Sequence, residues 1–198
     1  FAAKIQKYMH DHGGSVDWLA RVAEKAYING ALNPHAWRRE PISLEAIKTS
    51  TMVNDPLTKF MFCSPGEGGV ALVLCREDQA HRYTDKPIFI AAAAMRSKLY
   101  GAFEVYSSSV AIGDVPNATQ QASRAAYEIA GIGPEDVDLA QLQDTESGAE
   151  IMHMAENGFC KDGDQEQMLC DGETRLGGRL PINTDGGCLA NGEPIGAS

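Results

Sequence analysis

The sequence contains no CxxC pair, no apolar run approaching the length of a membrane span, no internal repeat and no low-complexity tract. Each absence excludes something. Without paired cysteine spacing, the five cysteines (Cys63, Cys75, Cys160, Cys170 and Cys188) read as reduced thiols, and the expected setting is cytoplasmic. The five histidines do not fall at metal-ligand spacings, so no structural zinc is expected. Asp162-x-Asp164-x-Glu166 lacks the glycine that a calcium loop needs at its sixth position, so no metal is assigned there either. Positive charge is scarce: 17 Lys and Arg against 27 Asp and Glu give a net charge of −10. That balance argues against nucleic acid or an anionic membrane as the main partner. Lys4 and Lys7 interrupt the first apolar residues, so no signal peptide is expected.

What the chain does have is enough apolar content (43% of 198 residues) to bury a core in one domain or two small ones. Its most informative stretch is Gly177 to Ser198, where six residues are glycine. A surface linker would add Ser, Lys or Glu to such a run. This one interleaves Leu180, Ile182, Cys188, Leu189 and Ile195, so it is expected to cross a packed interior. Glu193, held between Gly192 and Pro194, marks a candidate site.

Upstream, Ala2, Ile5, Tyr8 and Met9 share one helical face, and Gly13-Gly14 breaks that helix. Ser15 is the expected N-cap of a second helix carrying Leu19, Val22, Ala23, Ala26 and Tyr27, with Gly30 as its stop. Leu32 to Arg39 reads as loop, and Ser43 as the cap of a short helix. Val70 to Cys75 is apolar on both faces and predicts a buried strand. The polar, unpatterned stretch Asp78 to Lys86 sets the expected boundary between residues 1–86 and 87–198. A second strand is predicted over Ile88 to Met95, and Tyr100 to Pro116 is poorly patterned. Asn117 is the expected N-cap of a helix closed by Gly131, Val137 to Leu142 a short strand, and Ala149 to Asn157 a helix. Helix, turn, strand, loop, helix implies an α/β class. Sites in open α/β sheets form at the carboxyl ends of strands, and the Gln143 to Gly148 loop lies at such an end. The acidic linker Lys161 to Gly178 reads as solvated surface.

Asn183-Thr-Asp-Gly-Gly followed by Asn191-Gly-Glu-Pro-Ile-Gly-Ala-Ser resembles the end of the C-terminal domain in the thiolase superfamily. The resemblance is nearest to sterol carrier protein-type thiolases and lipid-transfer-protein relatives. It extends to NPHAWRR, DPLTKFMFCSPGEGG and the VDLAQL-QDTE strand and loop, and so to nearly the whole chain, though to about half of a full thiolase subunit. It implies a thiolase-like α/β fold with α-β-α-β-α layers and mixed sheets, here incomplete at both ends. Residues 1–86 would close the N-terminal half and 87–198 make most of the C-terminal half. It further implies a homodimer, acyl-CoA substrates with coenzyme A as part of the substrate and no other cofactor, and the region 100–116 near the acyl group. The family's nucleophilic cysteines would lie before residue 1 and after residue 198.

Two departures redirect the chemistry. Where the family carries a histidine that deprotonates a cysteine, this sequence has Glu193. A glutamate, with an ordinary pKa of about 4.3, is a poor base toward a thiol and suits a substrate hydroxyl better. Where the family carries a second histidine, the loop has Gln143, whose amide can still donate to an enolate oxygen. Asp144 matches the family residue and is expected to position the loop; Glu146 adds a third carboxylate to the candidate catalytic set, and Glu150 matches a family glutamate. Gly187, Gly192 and Gly196 are expected to let substrate approach the backbone. The bland alternatives are that Glu193 ties its own loop and that the acidic residues dress a helix N-terminus. Cys63 and Cys188 read as structural thiols, and His153 as the i, i+3 partner of Glu150. Three functions follow: a retro-aldol lyase of steroid or branched β-hydroxyacyl-CoA working with an OB-fold/zinc-ribbon partner, a thiolase or acyltransferase, or a non-catalytic acyl-CoA or lipid carrier.

Overall fold

The computed structural model describes residues 1–97 and 116–194. Helix α1 (Ala2–His12) ends on Gly13 in the left-handed conformation, and α2 (Val16–Leu32) follows at once. Helix α2 is the axis of the molecule. Leu19, Ala20, Val22, Ala23, Ala26 and Tyr27 are all at or within 1% of complete burial, so the helix is covered on most of its circumference. It does not stop at Gly30 as predicted. Gly30 stays helical, and α8 (Gly187–Asn191) packs where a side chain would stand: an added Cβ would lie 2.5 Å from Ala190 Cβ and 2.9 Å from Arg38 O.

Short elements complete the first half. Ser43 caps α3 (Leu44–Lys48) by accepting from Ala46 N–H at 3.3 Å. Strands β1 (Met52–Asn54) and β2 (Leu57–Thr58) pair antiparallel, and a 3-10 turn over Lys59–Met61 leads into residues 62–66. Helix α4 (Glu77–Ala80) is a single turn. The two strands expected at Val70 to Cys75 and Ile88 to Met95 do not form: neither pairs with any described residue, and Val73 and Ile88 are each 95% exposed. An extended run apolar on both faces needs neighbours on both sides, and the described residues supply none.

Asn117 and Gln120 form a reciprocal capping box on α5 (Ala118–Ala130), closed by left-handed Gly131. After a 3-10 turn at Pro134–Asp136, the expected strand Val137 to Leu142 contracts to one parallel bridge, Ala140 with Ile182. Helices α6 (Ser147–Glu156), α7 (Gln165–Cys170) and α8 (Gly187–Asn191) finish the described chain. Helix α7 corrects the solvated-linker expectation. Gln165 is fully buried and its amide donates to Tyr8 Oη (2.6 Å) and Ile151 O (3.1 Å), while Met168 and Leu169 join the core. His153 is also re-paired: its Nδ1 lies 2.6 Å from Glu156 Oε2, because Glu150 is taken by Lys25.

The main core joins α1, α2 and Ile47, Leu57 and Met61 to Ile151, Met152, Leu169 and Leu189. A smaller cluster holds Ala140, Met154, Met168, Leu180 and Ile182. Residues 100 or more apart in the sequence therefore share one interior.

Candidate active site

Residues 62–66 form the spine of the site. Phe62 makes an antiparallel bridge to Glu146, and Cys63 N–H donates to Thr145 O at 2.9 Å. Further along the strip, Glu193 N–H donates to Ser64 O (2.9 Å) and Gly66 N–H donates to Glu193 O (3.3 Å). One strip of extended backbone thus stitches the 143–146 loop to the glycine loop.

Gln143 and Glu193 meet above this strip, the Gln143 amide donating to Glu193 Oε1 at 2.9 Å. Cys63 reaches the other carboxylate oxygen, its thiol donating to Glu193 Oε2 at 3.6 Å. Cys63 is therefore half-buried in the site, not a core thiol. Its pKa is pushed up to about 11, first by burial and then by the charge and hydrogen bond of Glu193. Cys188 is pushed up to about 12 by burial and next by Asp144. Both thiols beside the site are neutral at neutral pH.

Side chains alternate along the 143–146 loop: Gln143 faces out, and Asp144 and Glu146 are wholly buried. Asp144 accepts from Cys188 N–H (2.6 Å) and Leu189 N–H (3.5 Å), holding the first turn of α8. Burial, then the neighbouring Glu150 charge, pushes its carboxyl well above the ordinary carboxylate range, against those two hydrogen bonds. Gly187 must be glycine twice over: its φ is +58°, and a Cβ would run into the Asp144 carboxylate. Glu146 is spent on structure. It caps α6 by accepting from Gly148 N–H at 2.7 Å, and Lys4 Nζ stands 4.0 Å from its other oxygen. Burial pushes its pKa up as well.

Beneath Asp144 lies a buried ion pair, Lys25 with Glu150. Asn183, left-handed at φ 54°, donates to Glu150 Oε2 (2.8 Å) and accepts from Leu142 N–H (2.8 Å). The pair thereby fixes the backbone just before Gln143. A cleft of about 620 Å³ opens beside the Gln143–Glu193 pair, lined by Leu142, Gln143, Asn183, Cys188, Gly192 and Pro194. Gly192 also borders a second cleft of about 660 Å³, with His35, Trp37, Gly66 and Glu67. Gly187 and Gly192 line the first cleft. Gly196, and all but the last residue of the 100–116 segment expected near the acyl group, lie outside the described residues.

The sequence brought Glu193, Gln143 and Asp144 forward; it missed Cys63, Ser64 and Arg38. Their only signal was the order NPHAWRR, then FCSPGEGG, which carries no distance. Chemically, a carboxylate beside an amide donor can take a proton from one oxygen while stabilising negative charge on another.

The glycine loop and the loop after Leu142 thus converge on one polar pair, Gln143 with Glu193. Residues 107–198 match the family described as thiolase C-terminal domain-like. The benzoylsuccinyl-CoA thiolase subunit BbsB of Thauera aromatica is 33% identical over 199 residues, covering all of this chain and 50% of that protein. A steroid side-chain-cleaving aldolase of Thermomonospora curvata is 32% identical over 188 residues, 93% of this chain and 47% of its own. The solved Ltp2-ChsH2(DUF35) aldolase superposes with a TM-score of 0.87 at 29% identity, over 99% of this chain and 51% of that one. The chain belongs to the thiolase superfamily, and it spans about half the length of these relatives. No helix among the described residues is long and apolar enough to cross a membrane.

Proposed function

We propose that the protein is a thiolase-fold lyase that cleaves the carbon–carbon bond of a β-hydroxyacyl-CoA by a retro-aldol step. The hydrogen bond between Gln143 and Glu193 carries this reading, because it pairs a base with an oxyanion donor. Glu193 takes the β-hydroxyl proton, the oxygen's electrons form a carbonyl, and the Cα–Cβ bond breaks. Its electron pair passes to the thioester as an enolate, whose oxygen accepts from the second N–H of Gln143. Return of the proton to Cα releases a shorter acyl-CoA, so atoms and electrons balance without an oxidant. Asp144 positions the loop, and Gly187, Gly192 and Gly196 admit the substrate to the backbone. The neutral thiols of Cys63 and Cys188 fit a reaction that needs no thiolate. Two aldolases among the relatives support the same choice.

The coenzyme A enters with the substrate, and a steroid or branched side chain is the proposed acyl group. We place the enzyme in the cytoplasm as a homodimer with an OB-fold/zinc-ribbon partner; the two-component name of the Ltp2-ChsH2(DUF35) aldolase supports such a partner. The halves 1–86 and 87–198 are the proposed domains. The thiolase reading rests on BbsB. Incubating the full chain and partner with a β-hydroxyacyl-CoA, or with a 3-ketoacyl-CoA plus CoA, separates the two. Release of a ketone or aldehyde, lowered about 10² to 10⁴-fold by Glu193→Gln, is the expected result. Thiolysis of the keto compound would sink the lyase reading, and inactivity on both would leave an acyl-CoA carrier.

A further inference from the structure

We infer that Arg38 is a positioning residue for Glu193, acting through the 62–66 strip. Its backbone N–H donates to Ala190 O at 2.8 Å, tying it to α8 just before the glycine loop. Its guanidinium then spans to the other side. Nη1 donates to Phe62 O (3.2 Å) and Tyr27 Oη (2.5 Å), and Nη2 donates to Ser64 Oγ (2.7 Å). Tyr27 is itself fixed, donating to Phe60 O at 2.7 Å, and the guanidinium lies 5.6 Å from the Tyr27 ring centroid and 6.0 Å from that of Phe60. Ser64 is the next link, since its carbonyl receives Glu193 N–H. Arg38 thus grips the residues on either side of Cys63 and, through Ser64, the backbone that aims the Glu193 carboxylate at Gln143. A planar fork with several donors can hold this geometry; an ammonium cannot. Arg38 touches neither Glu193 nor Gln143 among these bonds, so its action is indirect.

The inference deepens the lyase reading and rests on it for its catalytic consequence, so its test has a readout that does not need turnover. In the full chain, Arg38→Met, Arg38→Lys and Ser64→Ala are compared with the parent for β-hydroxyacyl-CoA cleavage and for alkylation of Cys63 by iodoacetamide, followed by peptide mass. Cys160, in the smaller core cluster, is the internal reference. Arg38→Met is expected to lower kcat about a hundredfold with little change in KM, as a displaced base does. Arg38→Lys should recover only part of this loss, and Ser64→Ala should follow Arg38→Met with a smaller effect. Cys63 should alkylate severalfold faster relative to Cys160 once the strip is released. The sign discriminates: the Arg38 charge lowers the Cys63 pKa, so losing charge alone would slow alkylation.

An unchanged or slower Cys63, or Cys63 and Cys160 accelerating together, overturns the inference. If Arg38→Met does not fold, Ser64→Ala decides by the same ratio. If the parent chain cleaves no β-hydroxyacyl-CoA, the lyase reading fails while the alkylation ratio still judges Arg38.

Discussion

At the scale of single residues, Asp144 separates what a loop motif can tell from what only a fold can. The family resemblance put it in the loop, but nothing local says that it is fully buried or that it holds Cys188 and Leu189, 44 and 45 residues away. Its surroundings give a signed prediction. The carboxyl is raised in the folded chain by burial and by Glu150, with Lys25 opposing, while the unfolded chain keeps about 3.9. The folded state therefore binds the proton more tightly. Its contribution to stability is full below the unfolded value and is lost as pH rises through the window up to the folded one. Asp144→Asn removes that titration and keeps an acceptor for Cys188 N–H. Urea midpoints measured from pH 4 upward should fall more steeply for the parent than for the variant. Parallel curves would mean that Asp144 is not raised. Glu146 is raised too, but it is present in both proteins and cancels in the difference.

At the scale of elements, local signals were read well and non-local ones poorly. The caps at Ser43 and Asn117 and the stop at Gly131 depend on residues within three or four positions, and they stand where the sequence puts them. Val70 to Cys75 reads as a buried strand, but burial depends on partners that the run itself does not encode. Gly30 is the same lesson inside a helix. It reads as a stop, yet it is the point at which α2 meets Ala190 of α8. An alanine there would gain about 1 kcal/mol of helix propensity. Against this stand the Ala190 side chain at 2.5 Å and Arg38 O at 2.9 Å, the latter held because Arg38 N–H is bonded to Ala190 O. Overpacking of this kind costs about 1–3 kcal/mol, so the clash should win. Gly30→Ala is expected to lower Tm by a few degrees, at about 2–4 °C per kcal/mol for a chain of this size. Gly69→Ala, with nothing within 4 Å of its added Cβ, should not. Equal Tm values for the two variants would remove Gly30 as a close-packing point.

For the whole molecule, the question is whether the two proposed halves are separable. The packing argues that they hold each other. Val22, Ala23 and Ala26 of α2 lie in one cluster with Ile151, Met152, Leu169 and Leu189 from beyond the proposed boundary. Two polar ties run parallel to this interface: the buried Lys25–Glu150 pair, and Asn29 Nδ2 donating to Asn183 O at 3.0 Å. Separating the halves would expose that apolar surface and strand a buried charge, a loss of about 3–5 kcal/mol for the charge alone. The connection between them is the opposite. Residues 81–86 are exposed, and Arg82 offers trypsin an accessible bond there. Brief trypsin treatment of the full chain is therefore expected to nick it in or beside this exposed stretch, at Arg76, Arg82 or Arg96, leaving the two pieces eluting together in gel filtration and parting only in denaturant. Pieces that separate under native conditions would show that the shared core is too weak to hold them. The Gln143–Glu193 pair would then depend on chain connectivity, because Cys63 and Ser64, on which Glu193 rests, lie on the other piece.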